Sequence, residues 1–173
     1  MNAHSGKHVS LFWVVGPLLG MCVLVSVCAA RPAAAASVHK MTVVLKEFSL
    51  TPSTLQLRVG ETVELTLRNE GQVAHDWMAG TGLVNTPDEK GYRKDLVALL
   101  TPKETGRQFT PERVGVPSKA DSIKRISTGV EIEPGGEVTL RFTVPAGAKG
   151  DWEMACVLTG HYESGMKGTI VIK

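Results

Sequence analysis

Near the end of the chain, Cys156-Val157-Leu158-Thr159-Gly160-His161-Tyr162-Glu163-Ser164-Gly165-Met166 sets a thiol, an imidazole and a thioether within eleven residues. Four residues separate each donor from the next, so a single loop can fold all three around one ion. Soft sulfur combined with imidazole suits copper in both oxidation states. Two His and one Cys in a plane, with a weak axial Met, is the geometry of electron-transfer copper sites. The loop lacks one imidazole of that set. Within residues 37–173 the only other histidines are His39 and His75. His39 lies close to the expected mature terminus, where the chain is expected to be mobile. His75 stands between the apolar pairs Val73-Ala74 and Trp77-Met78, in a stretch that reads as a strand and can hold a ring rigidly. The expected metal ligands are therefore His75, Cys156, His161 and Met166, with one copper per chain.

Taken singly, each of these residues has an ordinary role. A lone buried Cys is usually a small apolar core residue. A lone His in a strand usually makes a hydrogen bond, and a Met near glycines fills gaps. Their convergence on one loop outweighs those readings. Zinc is the main rival metal, but structural zinc takes four Cys or His ligands and makes little use of thioether sulfur.

The first thirty-six residues differ from the rest. A polar start with Lys7 is followed by the apolar stretch 9–30 and by the small residues Ala33 to Ala36. This is the pattern of a secretory signal peptide, with cleavage expected after Ala36. The alternative is a retained membrane anchor, since an apolar run of 22 residues is long enough to span a bilayer. Cleavage would remove Cys22 and Cys28 and leave Cys156 as the only cysteine, unable to form an internal disulfide. It would also remove Lys7 and Arg31, so 19 − 2 = 17 basic residues would face 17 acidic ones. A formally neutral domain has no basic surplus for nucleic acid. The expected location is periplasmic or otherwise extracytoplasmic, membrane-attached only if the segment is retained.

Residues 37–173 must position the ligands, and most of them alternate as strands do. Leu55, Leu57 and Val59 alternate with Gln56 and Arg58; Val63, Leu65 and Leu67 with Glu64, Thr66 and Arg68; Val138, Leu140, Phe142 and Val144 with Thr139, Arg141 and Thr143. Period two means one buried face and one wet face. Asn69-Glu70-Gly71 and Ile132-Glu133-Pro134-Gly135-Gly136 read as turns. Many short strands with regular turn signals predict an all-β Greek-key sandwich or barrel. Residues 80–122 break the rhythm. Thr86-Pro87-Asp88-Glu89 looks like a helix start, and Tyr92, Leu96, Leu99 and Leu100 continue at helical spacing, predicting a helix over 87–100. Residues 101–121 read as an irregular loop.

These residues resemble the cupredoxins, the plastocyanin and azurin superfamily of blue copper proteins. Val59-Gly60-Glu61-Thr62-Val63 through Asn69-Glu70-Gly71 to His75 carries part of the likeness. The segment Gly150-Asp151-Trp152-Glu153-Met154-Ala155-Cys156 through Gly160-His161 to Gly165-Met166-Lys167-Gly168 carries the rest. The spacing around His161 is most similar to auracyanins. The resemblance implies an eight-stranded Greek-key sandwich with copper at one end, His161 nearest solvent, and an apolar edge including Leu158 and Tyr162. In many members Asn follows the first ligand His and its amide ties the two copper loops together. Here that position is Asp76, which either accepts hydrogen bonds from the Cys156 loop or points to water.

Three functions remain open on these grounds. The first is one-electron transfer between Cu(I) and Cu(II), without enzymatic turnover, for redox partner proteins such as a cytochrome, an oxidase or a reductase. No small-molecule substrate is expected. The second is copper tolerance, storage or delivery through the same site. The third gives residues 80–122 a partner-docking role near the copper end.

Overall fold

This computed structural model describes Met1 and residues 37–173, so the expected export segment with Cys22 and Cys28 lies outside the described residues apart from Met1. Among the described residues no helix is long and apolar enough to cross a membrane.

The strands in chain order are β1 (Val38–Lys46), β2 (Ser49–Thr51), β3 (Thr54–Leu57), β4 (Thr62–Asn69), β5 (His75–Asn85) and β6 (Glu89–Asp95). After helix α1 (Leu96–Leu100) come β7 (Lys103–Glu112), β8 (Lys124–Arg125), β9 (Gly129–Thr143), β10 (Gly150–Ala155) and β11 (Lys167–Ile172). The all-β expectation holds. The main path of the sheet is β2-β1-β4-β9-β5-β10-β11-β3, eight strands whose non-consecutive neighbours mark crossovers. Its two end strands, β2 and β3, are separated in sequence only by Pro52 and Ser53. The ends therefore meet, and the sheet curls into a nearly closed barrel. β1 with β4 and β11 with β3 pair in parallel, while the other neighbours on this path are antiparallel.

The alternating residues fill the barrel as their period requires. Val63, Leu65 and Leu67 of β4 and Val138, Leu140 and Phe142 of β9 are all buried and pair across the two strands. Leu55, Leu57, Trp152, Ile170 and Ile172 join the same core. Met78 and Met154 are buried too, as core residues. His39 is not at a loose end: it sits in β1 opposite Val63, with its side chain half-exposed beside Glu61.

Three strands, β6, β7 and β8, lie off the main path, and two of them correct the reading of residues 80–122. The helix over 87–100 is shorter than expected, because β5 runs on to Asn85 and turns into β6. Thr86 does cap a turn there, its hydroxyl accepting from Glu89 N at 3.0 Å. Lys90, Tyr92 and Lys94 then pair with Asn85, Leu83 and Thr81 of β5. Asp95 caps the five-residue α1, accepting from Ala98 N at 3.0 Å. Leu96, Val97 and Leu100 turn inward and Leu99 stays exposed.

The expected loop over 101–121 contains β7, ten residues paired with β9. β7 is wet on most of its length, so it shows no apolar alternation to mark its pairing with β9. The expected turn at 132–136 is instead a passage within the long strand β9, with Gly135 at φ 71°. There β9 leaves β5, its partner at 129–132, for β4, its partner at 137–143.

Candidate metal centre

β5 opens with His75, and its residues 75–80 are all buried. β10 ends at Ala155, which pairs with Met78. His75 and Cys156 therefore emerge side by side from neighbouring strands at one end of the barrel. The Cys156 loop is closed at its base by Cys156 N donating to Met166 O at 3.0 Å. Inside it, His161 N donates to Leu158 O, Ser164 N to Gly160 O, and Met166 N to His161 O, all at 2.9–3.1 Å. Gly160 and Gly165 take φ of 83° and 99°, a region that side chains disfavour, which lets the loop turn twice within eleven residues.

The turns bring three donors together. His75 Nδ1 lies 3.2 Å from His161 Nδ1, and Cys156 Sγ lies 3.3 Å from the same His161 nitrogen. This trio is the metal-competent cluster among the described residues. Met166 is fully buried, with its backbone tied to both Cys156 and His161. Three electron-pair donors facing one another repel unless a proton or a cation lies between them. Their chemistry, two imidazole nitrogens and one sulfur, fits a soft, borderline cation such as copper.

Electrostatics favour neutral imidazoles and a protonated thiol in the metal-free state. Burial, with the neighbouring His161, lowers His75 to about 4. Burial also lowers His161. Burial, reinforced by the charge of Asp76, pushes the Cys156 thiol well up.

Several residues hold the donors in place. Asp76 N donates to Cys156 Sγ at 3.4 Å. Asp76 is fully buried rather than facing water, and its Oδ1 accepts from Val157 N at 2.7 Å. The carboxylate thus accepts from the Cys156 loop, the first of the two expected placements. Asn69, also buried, donates to Val73 O and Ile132 O and accepts from Gly71 N, each at 2.8 Å. It fixes the turn that leads into His75.

Glu47 was not foreseen. Its Oε1 accepts from Gln72 N at 2.6 Å and Val73 N at 3.0 Å, and lies 3.5 Å from His75 Nε2. That Nε2 has no hydrogen-bond partner otherwise. Backbone donors, led by its own N–H and that of Gln72, hold Glu47 down at about 2, so it is ionised. The turn between β1 and β2 gives no signal in sequence that its carboxylate reaches His75.

The apolar rim also differs in detail from the expectation. Leu158 is buried, and the Tyr162 hydroxyl engages Glu153. The apolar group against His161 is the half-exposed Phe48, its ring centroid 4.9 Å from the imidazole.

No protein-family model matches the chain. Two curated proteins are similar to it, both described as copper-resistant cuproprotein CopI. The one from Pseudomonas aeruginosa is 27% identical over 153 residues, covering 83% of this chain and 81% of that protein. The one from Rubrivivax gelatinosus is 27% identical over 145 residues, covering 83% and 72%. Among solved structures, reduced auracyanin from Roseiflexus castenholzii aligns with a TM-score of 0.48 at 19% identity, over 82% of this chain and 99% of that one. Auracyanin B aligns with a TM-score of 0.46 at 18% identity, over 84% and 95%.

Proposed function

We propose that the protein is an exported, cupredoxin-like blue copper protein. In this reading His75 Nδ1, Cys156 Sγ and His161 Nδ1 would hold one copper, with the Met166 thioether as a fourth, weaker donor. The convergence of His75 Nδ1 at 3.2 Å and Cys156 Sγ at 3.3 Å on His161 Nδ1 carries the reading. Copper there would cycle between Cu(I) and Cu(II). Four donors on tied elements leave no open position for a substrate, so the protein is not an enzyme in this reading. A rigid ligand set keeps the rearrangement between oxidation states small, and the apolar shell with the N–H bond to sulfur sets the potential.

Two physiological roles use such a site, electron carriage between redox proteins and copper tolerance. The names of the two curated relatives favour tolerance, and we adopt it as the setting in which this redox-active copper works. Two measurements test the proposal. Residues 37–173, given Cu(II), should develop an intense visible charge-transfer band that Cys156→Ser abolishes; a colourless protein refutes the copper site. A deletion strain should be sensitive to copper while respiring normally. Impaired respiration at ordinary copper would assign the site to electron carriage instead.

A further inference from the structure

The copper centre is linked to residues 112–125 through a buried guanidinium. Arg125 is fully buried, as is Asp76, and its Nη2 lies 3.3 Å from Asp76 Oδ2. The same side chain bonds Glu112 Oε2 through Nε at 3.0 Å and Asp121 Oδ1 through Nη2 at 3.1 Å. Two chains of contacts then run from Arg125 into the Cys156 loop. One passes through Asp76, whose Oδ1 accepts from Val157 N at 2.7 Å. The other passes through Asp121, whose Oδ2 accepts from the Thr159 hydroxyl at 3.3 Å.

A bare carboxylate at this position would be costly. Buried charges are stable only when paired and hydrogen-bonded. Cys156 sulfur, as a copper ligand, is itself a thiolate, so an uncompensated Asp76 would place a second negative charge beside the metal and favour Cu(II). An amide at position 76 would avoid this, but it would have no use for Arg125. The residues are matched: the carboxylate needs the guanidinium, and the guanidinium, once buried, needs the carboxylate.

We infer that Arg125 is a positioning residue for the copper centre: its ion pair holds the Asp76 carboxylate on Val157 N–H and cancels its charge, so that the pair serves as a neutral amide would. The inference rests on the copper reading above. It also gives the inserted segment a task, since β7 contributes Glu112 and the 113–123 connection contributes Asp121 to the cradle that keeps Arg125 in place.

The test is a double-substitution cycle on the copper-loaded, exported protein, read as the reduction potential at fixed pH and salt. Asp76→Asn alone removes one of the three carboxylates on Arg125, a net gain of one positive charge beside the copper, and should favour Cu(I) about tenfold, roughly 59 mV upward for a one-electron couple. Asp76→Asn combined with Arg125→Gln removes both charges and should return the Cu(I):Cu(II) balance to within threefold of the unsubstituted protein. Arg125→Lys keeps the charge and should also stay within threefold.

An Asp76→Asn potential that does not move, or a double variant no closer to the unsubstituted protein than the single, overturns the inference. If Asp76→Asn does not fold, the other two variants decide it: both within threefold supports the neutral pair, and a tenfold shift in either refutes it. An unsubstituted protein with no charge-transfer band would refute the copper reading itself. A normal band with an unmoved potential would refute only the role of Arg125.

Discussion

Met166 is where packing and ligation can be separated. Its side chain is fully buried and its backbone bridges Cys156 and His161, so any substitution acts on the fold as well as on the metal. Met166→Leu keeps the volume and removes only the thioether. A volume-conserving apolar exchange costs less than about 1.5 kcal/mol. For a domain of this size, about 4 °C of Tm follows each kcal/mol, so metal-free Met166→Leu should melt no more than about 6 °C lower. Met166→Ala leaves a cavity and should cost about 2–5 kcal/mol, or roughly 8–20 °C. The copper-side effect has a different order. Both variants remove the same weak donor from a site that otherwise keeps two imidazoles and a thiolate. Cu(II) loses more from a missing fourth ligand than Cu(I) does, so both potentials should rise by a similar amount. A tenfold change in the Cu(I):Cu(II) balance corresponds to about 59 mV. Thermal unfolding of the metal-free proteins, followed by circular dichroism, reads the first ordering, and spectroelectrochemical titration of the copper-loaded proteins reads the second. If Met166→Leu leaves both the visible spectrum and the potential unchanged, Met166 is a core residue and not a ligand.

Two further perturbations address the imidazole side and the protons. Glu47→Gln removes the charge facing His75 Nε2, and loss of such a ligand-orienting carboxylate should weaken copper affinity by about ten- to a hundredfold, measured by chelator competition. Gly71→Ala should act in the same direction, because a Cβ there would stand 2.5 Å from Glu47 Oε1 and displace the carboxylate; unchanged affinity in both variants would remove Glu47 from the site. Copper binding should release close to one proton at neutral pH, since the thiol of Cys156 is raised by burial while His75, lowered to about 4, and His161 are already neutral. Affinity should then climb about tenfold per pH unit across pH 6–8, with calorimetry in buffers of different ionisation enthalpy giving the proton count. A pH-independent affinity would mean that the metal-free thiol is already ionised.

The residues proposed as ligands were conspicuous in the sequence because each is a rare residue type at a telling position. Cys156 closes an alternating strand, and His161 and Met166 follow at equal spacing. His75 was reached by elimination, and the structure brings it to 3.2 Å from His161. The barrel was legible wherever one face of a strand is wet and the other dry, as in β4 and the second half of β9. It was not legible where a strand has no dry face. β7 is mostly exposed and pairs through its backbone, so its polar composition reads as a loop. β6 misled in the opposite direction: Tyr92, Leu96 and Leu100 are all buried, but Tyr92 reaches the interior from a strand and the two leucines from a helix that begins after Asp95. Apolar spacing alone does not distinguish a helix from a strand followed by a turn of helix. The partners of the proposed ligands were the least visible. Glu47 and Arg125 are ordinary charged residues in sequence, and only tertiary contact sets one beside His75 and the other beside Asp76.

Those partners bear on whether copper is a resident or a cargo. His75, Cys156 and Met166 are all fully buried, and among the proposed ligands only His161 reaches the surface. Copper leaving the site would have to pass His161 and Phe48 or wait for the Cys156 loop to open. Opening the loop breaks the Val157–Asp76 and Thr159–Asp121 bonds together, and leaves the buried Asp76 Oδ1 without its backbone donor. Leaving a buried carboxylate oxygen short of its hydrogen bond is costly, so the loop resists the motion that release requires. A site built for delivery gains from a loose, exposed ligand loop. This one is fastened by Asp76 of β5 and by Asp121 of the inserted segment, both held by Arg125, which weighs toward a copper that stays and changes oxidation state. Tolerance on that basis would come from electron exchange at His161, beside the half-exposed Phe48.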